Sequence, residues 1–237
     1  MSAFMAATDA RAGVLVTDGA GYDDRGAVQF IGPKVTTGAV SPIAVTTRGN
    51  HAIGMKMQRT ICGWADRYGV DFALETFERE LPALAADRDL RGKDFLHFHI
   101  IAWSLTQGPV QLSAHNMPFA FSDGQEPLKV YRPTGHYIAG NSVTADALAA
   151  AGVQPRQAEE TAVDYLEREG ANLMEAMRRR PAAALPGEVF DGDQYLIGGQ
   201  VDVTRVDMWG ARTRTVRTWP DVVGEKIDPF REMATAA

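Results

Sequence analysis

The 237-residue chain has only one cysteine, Cys62. A single cysteine cannot form a disulfide within the chain and cannot supply the thiolates of a cysteine-based zinc site. The sequence therefore favours a reducing compartment, and we expect the cytoplasm. Cys62 lies in an apolar helical stretch with no histidine at a motif spacing, which indicates a buried packing residue rather than a nucleophile.

The chain also lacks long apolar runs and an excess of positive charge. No stretch has the length needed to span a bilayer, and the first residues have neither the basic nor the apolar region of a signal peptide. With 24 Lys and Arg against 30 Asp and Glu, the net charge is −6, so the chain has no general attraction for nucleic acid or anionic lipid. We expect neither a membrane nor nucleic acid as a partner.

Apolar residues make up 45% of the chain, which is ample for one buried core. The sequence shows no internal repeat and no low-complexity segment. We expect a single domain over residues 1–237, with 220–237 as a C-terminal extension that ends in a frayed tail.

The first third of the chain has the pattern of short strands, which is followed by a change to helical periodicity. Predicted strands cover 2–7, 13–18, 27–31 and 43–47, and later ones 95–104, 110–114, 129–131 and 136–139, with a final hairpin over 194–219. Predicted helices cover 53–68, ended by Gly69, and 71–84, capped by Asp71, with either a kink or the helix end near Pro82. A helical block runs from Pro155 to Met177. Helices grouped between blocks of strands favour an α+β fold in which two antiparallel sheets lie between helical layers.

Three polar residues near the start of the chain are evenly spaced. Ser2 follows the initiator methionine, Asp18 stands sixteen positions later at the end of an apolar strand, and Lys34 follows after sixteen more. Gly49 comes directly before the first predicted helix. A further glycine pair, Gly198-Gly199, precedes the final hairpin.

This order of elements and this spacing resemble the N-terminal-nucleophile (Ntn) hydrolases, and more narrowly the proteasome β subunits. The chain also resembles divergent proteasome-like proteins that phages and prophages encode. The resemblance covers the element order over most of the chain and the motifs of the first fifty residues. It implies a four-layer αββα sandwich, a homo-oligomer or a part of a larger assembly, and no cofactor.

The resemblance also implies residue roles. Ser2 would be the nucleophile once Met1 is removed, with its own free α-amine as the base. Lys34 would disfavour protonation of that amine, and Asp18 would hold Lys34 and balance its charge. The amide of Gly49 would stabilise the oxyanion. The implied reaction is hydrolysis of a peptide or other amide through an acyl-enzyme on Ser2.

The chain departs from the family pattern at three places. The nucleophile is serine instead of threonine. The small Gly/Ser loop expected after the middle strands has the sequence Ala139-Gly140-Asn141-Ser142. The acidic residue expected before Gly198-Gly199 has only an approximate match, in Asp191 or Asp193. A second interpretation therefore stays open, in which the chain is a catalytically silent assembly protein with the same fold. Under that interpretation a phage virion or tail is an alternative location to the cytoplasm.

Two further clusters allow more than one interpretation. His97, His99 and His115 lie on one predicted hairpin and suit zinc or nickel, but no carboxylate has the right spacing. We interpret them as a polar, half-exposed sheet face and expect no metal. The last hairpin carries four arginines, Arg205, Arg212, Arg214 and Arg217. Either they bind an anion such as nucleic acid, or they form a solvated or subunit-contacting face, which the acidic whole favours.

Overall fold

A computed structural model describes residues 3–84, 95–116, 125–182 and 192–231, and within these ranges the fold is mixed α+β. The strands are β1 (Phe4–Thr8), β2 (Gly13–Asp18), β3 (Ala20–Tyr22), β4 (Val28–Ile31), β5 (Val35–Thr37), β6 (Ile43–Gly49), β7 (Leu96–Ser104), β8 (Gly108–His115), β9 (His136–Ala139), β10 (Gln200–Asp207) and β11 (Gly210–Thr218). The helices are α1 (His51–Tyr68), α2 (Val70–Leu84), α3 (Ala145–Ala150) and α4 (Ala162–Arg178).

The strands form two main sheets and a separate hairpin. One sheet has five strands in the order β11-β10-β2-β1-β9, and the other has four in the order β5-β6-β7-β8. Strands β3 and β4 form the hairpin between β2 and β5. Every strand pair in these sheets is antiparallel, as the sequence predicted.

The two sheets pack face to face, with helices on their outer faces. Phe4 and Leu15 of the five-stranded sheet share a buried cluster with Ala44 and Ile101 of the four-stranded sheet. Helices α1 and α2 bury their apolar stripes on the outer face of the four-stranded sheet. Helix α4 packs on the outer face of the five-stranded sheet. This arrangement is compatible with a sandwich, and it buries the apolar faces of both sheets and of the helices packed on them.

Local sequence signals explain where α1 and α4 begin and where α1 ends. Asn50 accepts a hydrogen bond from the amide of Ile53 and caps α1, while Thr161 caps α4 in the same way. Gly69 ends α1 with a φ of +93°, a conformation that glycine adopts without a steric penalty.

Several predicted boundaries were wrong. Helix α2 begins at Val70, so Asp71 lies in its first turn and is not the cap, whereas its end at Leu84 is as predicted, with Pro82 inside the helix. Helix α4 begins at Ala162 and not near Pro155. The predicted strand over 129–131 is only an isolated bridge between Ser113 and Tyr131, and the short helix α3 was not predicted.

The segment after β11 packs against the rest of the fold up to residue 231. Arg178 donates two hydrogen bonds to the carboxylate of Asp221, at 2.7 and 2.8 Å, and both side chains are almost fully buried. The amide of Gly199 donates to the same carboxylate at 2.7 Å. The predicted frayed tail lies in residues 232–237, outside the described residues. None of the helices in the described ranges has both the length and the apolar character needed to cross a membrane.

Candidate functional site

The start of the described chain is held beside Asp18. Strands β1 and β2 pair antiparallel with Phe4 opposite Thr17, so Ala3 comes opposite Asp18. The amide of Ala3 donates to Asp18 Oδ1 at 3.0 Å, and the amide of Asp18 lies 3.4 Å from the carbonyl oxygen of Ala3. Ser2, the predicted nucleophile, and Met1 lie outside the described residues. The residue that follows Ser2 is therefore fixed by the carboxylate of Asp18.

Lys34, which follows the β3–β4 hairpin along the chain, binds the same carboxylate. Its Nζ atom lies 2.9 Å from Asp18 Oδ2, and the two side chains are 7% and 0% exposed. The hydroxyl of Thr46 in β6 donates to the carbonyl oxygen of Lys34 at 3.1 Å and fixes its backbone. The structure thus brings together two of the predicted site residues, Asp18 and Lys34, in a buried ion pair.

Burial lowers the pKa of Lys34 below its ordinary value, because the charged ammonium loses its hydration. The carboxylate of Asp18 offsets part of this effect, through its charge and through the hydrogen bond. The guanidinium of Arg48 lowers the pKa of Lys34 further. Asp18 is therefore the group that favours the protonated form of Lys34 against the effect of burial.

The predicted Gly-Gly segment completes the surroundings of Asp18. The amide of Gly198 points at Asp18 Oδ2 from 3.4 Å. The carbonyl oxygen of Gly198 accepts from the amides of Gly19 and Ala20 at 3.0 and 2.9 Å. Asp18 is thus surrounded by donors from the chain start, from Lys34 and from this segment, which suits a buried carboxylate.

Gly49 ends β6 immediately before the cap of α1. Its φ is +104°, and a Cβ at this position would overlap with the carbonyl oxygen of Phe95. The same oxygen accepts a hydrogen bond from the amide of Asn50 at 3.0 Å. The chain therefore needs glycine here to turn from the strand into the helix.

We predict that Gly49→Ala lowers the free energy of unfolding by more than about 2 kcal/mol. The positive φ alone costs about 1–2 kcal/mol, and the overlap with Phe95 adds to it. Gly69→Ala is the matched control, since Gly69 has a similar φ of +93° and open space around it. Urea denaturation of both variants measures the difference, and equal losses would contradict the steric part of this prediction.

The loop after β9 approaches the start of the chain. A Cβ on Gly140 would lie 3.0 Å from the Cβ of Ala3 and 2.8 Å from the sulfur of Met177. The amide nitrogen of the Asn141 side chain donates to the carbonyl oxygens of Met177 and Arg180. Of the two acidic residues that match the family pattern loosely, Asp193 is exposed and Asp191 lies outside the described residues.

Sequence reasoning missed Arg48, a buried cation near this site. Along β6, Arg48 is on the same face of the strand as Ala44, the face that packs against the other sheet. Burial lowers its pKa to about 10, and the charges of Tyr137 and Asp18 act in the opposite direction. Its guanidinium carbon lies 5.9 Å from the centre of the Phe95 ring. The sequence signal that could have identified it is a charged residue at a position of β6 that alternation places on the inward face.

The three histidines of β7 and β8 are buried, so the prediction of a half-exposed face was wrong. His97, His99 and His115 are at most 4% exposed. They lie between the two sheets, where the ring of Phe4 is 5.2 Å from that of His97 and 5.0 Å from that of His99. His97 Nε2 is 2.9 Å from the hydroxyl of Ser113. Within the described ranges, no cluster of His, Cys, Asp or Glu has the arrangement of a metal site.

The four arginines of the last hairpin divide into two pairs. Arg205 pairs with Glu167 at 2.7 Å, and Arg217 bonds to Asn172 at 2.9 Å, so both are tied to α4. Arg212 and Arg214 are exposed on β11 and form no ion pair within the described part of the chain.

Cys62 is buried on α1, as predicted. Burial raises the pKa of its thiol to about 12, and the charge of Asp66 acts in the same direction. A thiol with that pKa supplies almost no thiolate at neutral pH, so Cys62 is unsuited to nucleophilic chemistry.

Comparison of the chain with protein-family models and with curated proteins found no match. Any inference about function therefore depends on the residues and distances described above.

Proposed function

We propose that this chain is an Ntn-type amide hydrolase with the αββα sandwich of the proteasome β subunits, and that its mature form begins at Ser2. One observation carries the proposal: the carboxylate of Asp18 binds the ammonium of Lys34 at 2.9 Å and the amide of Ala3 at 3.0 Å. This contact couples a buried cation to the residue that directly follows Ser2. The helices packed on both outer sheet faces support the fold assignment.

In the proposed reaction, the hydroxyl of Ser2 attacks the carbonyl carbon of an amide. The α-amine of Ser2 takes the hydroxyl proton, since a free α-amine has a pKa of about 7.7–8.0. The ammonium of Lys34 disfavours a second positive charge nearby and so keeps the α-amine in its basic form. The charge of Asp18 and its hydrogen bond favour the protonated form of Lys34, against the effect of burial.

The tetrahedral intermediate carries a negative oxygen, and the amide of Gly49 is the proposed donor to it. Loss of one such donor typically costs about 2.7–4 kcal/mol of barrier. The protonated α-amine then gives its proton to the leaving amine, and an ester on Ser2 remains. Water attacks this ester with the α-amine again as base, which releases the carboxylic acid and restores Ser2.

Acylation of the full chain tests this proposal. Incubation with a β-lactone, followed by intact-mass measurement and peptide mapping, is expected to show one adduct on Ser2 and a chain without Met1. Ser2→Ala is expected to give no adduct, and Ser2→Thr, which keeps a hydroxyl and an α-amine, is expected to react. A retained Met1, or an unmodified Ser2, would contradict the proposal.

A second candidate function is that of a catalytically silent assembly protein, for example in a phage virion or tail. It is favoured by the tip of the β10–β11 hairpin, where Met208 and Trp209 are 54% and 77% exposed. Tryptophan and methionine are enriched in protein–protein interfaces relative to the rest of the protein surface. If Ser2→Ala keeps the native oligomer mass and no adduct forms on the parent chain, while Trp209→Ser dissociates the oligomer, the assembly role is the better account.

A further inference from the structure

A buried ion pair joins the end of α4 to the segment that follows β11. Arg178 is the last residue of α4, and its side chain and that of Asp221 are 3% and 4% exposed. The guanidinium of Arg178 also donates to the carbonyl oxygen of Ile197 at 2.9 Å, and its carbon lies 4.7 Å from the centre of a ring of Trp219. The reaction steps proposed above assign no role to this pair.

The pair holds Gly198 from both sides along the chain. Asp221 Oδ2 accepts a hydrogen bond from the amide of Gly199 at 2.7 Å, and Arg178 binds the residue before Gly198. The pair also packs directly on Gly198, because a Cβ there would lie 2.5 Å from Asp221 Oδ2 and 2.9 Å from Arg178 Nη1. The position of this peptide segment is therefore set by the two charged side chains.

Gly198 connects this pair to the candidate active site. Its amide points at Asp18 Oδ2 from 3.4 Å, and the same oxygen binds the ammonium of Lys34 at 2.9 Å. Its carbonyl oxygen accepts from the amides of Gly19 and Ala20, which directly follow Asp18. A displacement of Gly198 would therefore move a donor away from the carboxylate and disturb the backbone that carries it.

Stability alone is a weak reason for a buried ion pair. The loss of hydration of two ions offsets much of their attraction, so well-packed apolar residues in the same place are often equally stabilising. Apolar residues cannot, however, accept from the amide of Gly199 or donate to the carbonyl oxygen of Ile197. The contribution that is specific to Arg178 and Asp221 is directional binding of this backbone.

We propose that Arg178 and Asp221 are positioning residues for the reaction at Ser2, an inference that rests on the proposed function. They act through Gly198, because they hold its peptide group where the amide can donate to Asp18. Asp18 in turn binds the cation and the chain start on which the proposed chemistry depends. The segment after β11 thus contributes to the reaction through the backbone.

The double variant Arg178→Met/Asp221→Ala tests the inference in the full chain, since it removes both charges and leaves neither ion buried without its partner. The acylation rate of Ser2 at saturating β-lactone is expected to fall at least about tenfold, because small misplacements remote from the reacting atoms have effects of this size. The lactone concentration that gives half of this rate is expected to change less than about twofold, because the pair acts on the nucleophile and not on lactone binding. The amide proton resonance of Gly198 is expected to move upfield as its hydrogen bond to Asp18 weakens.

Leu74→Ala is the matched control for a loss of stability. Leu74 is buried on α2, in a different hydrophobic cluster from Ile197, and its truncation leaves a cavity beside the four-stranded sheet. This variant is expected to keep the saturating acylation rate of the folded chain and the Gly198 resonance of the parent chain.

Three results would overturn the inference: acylation of the double variant at the parent rate, equal slowing by Leu74→Ala, or a Gly198 resonance that does not move in the double variant. Each of them leaves the hydrolase in place if the parent chain is acylated at Ser2. A parent chain that forms no adduct refutes the hydrolase itself. A Gly198 resonance that still moves in the double variant would then show that the pair holds this segment for a structural reason only.

Discussion

Asp18→Asn is expected to lower the free energy of unfolding by about 3–5 kcal/mol, the usual loss when one partner of a buried ion pair is removed. Lys34 is only 7% exposed and its ammonium lies 2.9 Å from Asp18. Asparagine leaves that ammonium without its counter-charge while Arg48 still repels it. The substitution also weakens the hold on the amide of Ala3, at the start of β1.

Urea denaturation at neutral pH measures this loss. Lys34→Met is expected to cost a similar amount, because the buried carboxylate of Asp18 then lacks its cation. The double variant Asp18→Asn/Lys34→Met removes both charges of the pair and is expected to be more stable than either single variant. A loss below about 1 kcal/mol for Asp18→Asn, or strictly additive single losses, would contradict a buried, coupled pair.

The double variant also separates structure from chemistry. It is expected to fold but to form no β-lactone adduct on Ser2, since the cation that keeps the α-amine unprotonated is gone. An adduct that forms as fast as on the parent chain would show that the reaction does not need Lys34. The ion pair would then have only a structural role, as the assembly interpretation implies.

The sequence was sufficient to predict β1, β2 and β4 around Asp18, because their local signals agree with the fold, whereas β3 was not predicted. The apolar run that ends at Asp18 forms β2 as predicted, and the predicted strand over 27–31 forms β4, which pairs with β3 in a hairpin. That hairpin reverses the chain and brings Lys34 to the end of β2. The contact between Asp18 and Lys34 could be expected only through the family resemblance, since spacing alone does not place two side chains together.

The burial of the histidines could not be predicted, for a reason that lies in the second sheet. Alternation along β7 puts His97 and His99 on the same face as Ile101, and this much is visible in the sequence. Both faces of β7 are buried, and the cover of the histidine face includes β1, whose Phe4 comes from almost a hundred residues away. The predicted start of α4 failed for a local reason, because Pro155 suits a helix start but Thr161 offers a side-chain cap.

The burial of His99 predicts a loss of stability in acid. His99 is fully buried, and burial lowers its pKa from 6.5 to about 3, an effect that the Gln111 side chain offsets only in part. Below pH 6.5 the unfolded chain binds a proton at this position, while the folded chain does not until about pH 3. The free energy of unfolding therefore falls as the pH falls through this window, by about 1.36 kcal/mol per unit and about 5 kcal/mol in total.

Urea denaturation between pH 4 and 6 tests this, with the slope of unfolding free energy against pH as the measured quantity. His99→Gln and His99→Phe cannot titrate, so each is expected to show a slope lower by about 1.36 kcal/mol per pH unit, whatever its stability at pH 7. The control is His136→Gln at an exposed position, where solvent reaches the ring in both states. The buried His97, whose pKa is also lowered by burial and by Arg48, accounts for part of the slope that remains. Parallel slopes for the parent chain and both His99 variants would mean that His99 gains its proton without unfolding, and that the space between the sheets admits water.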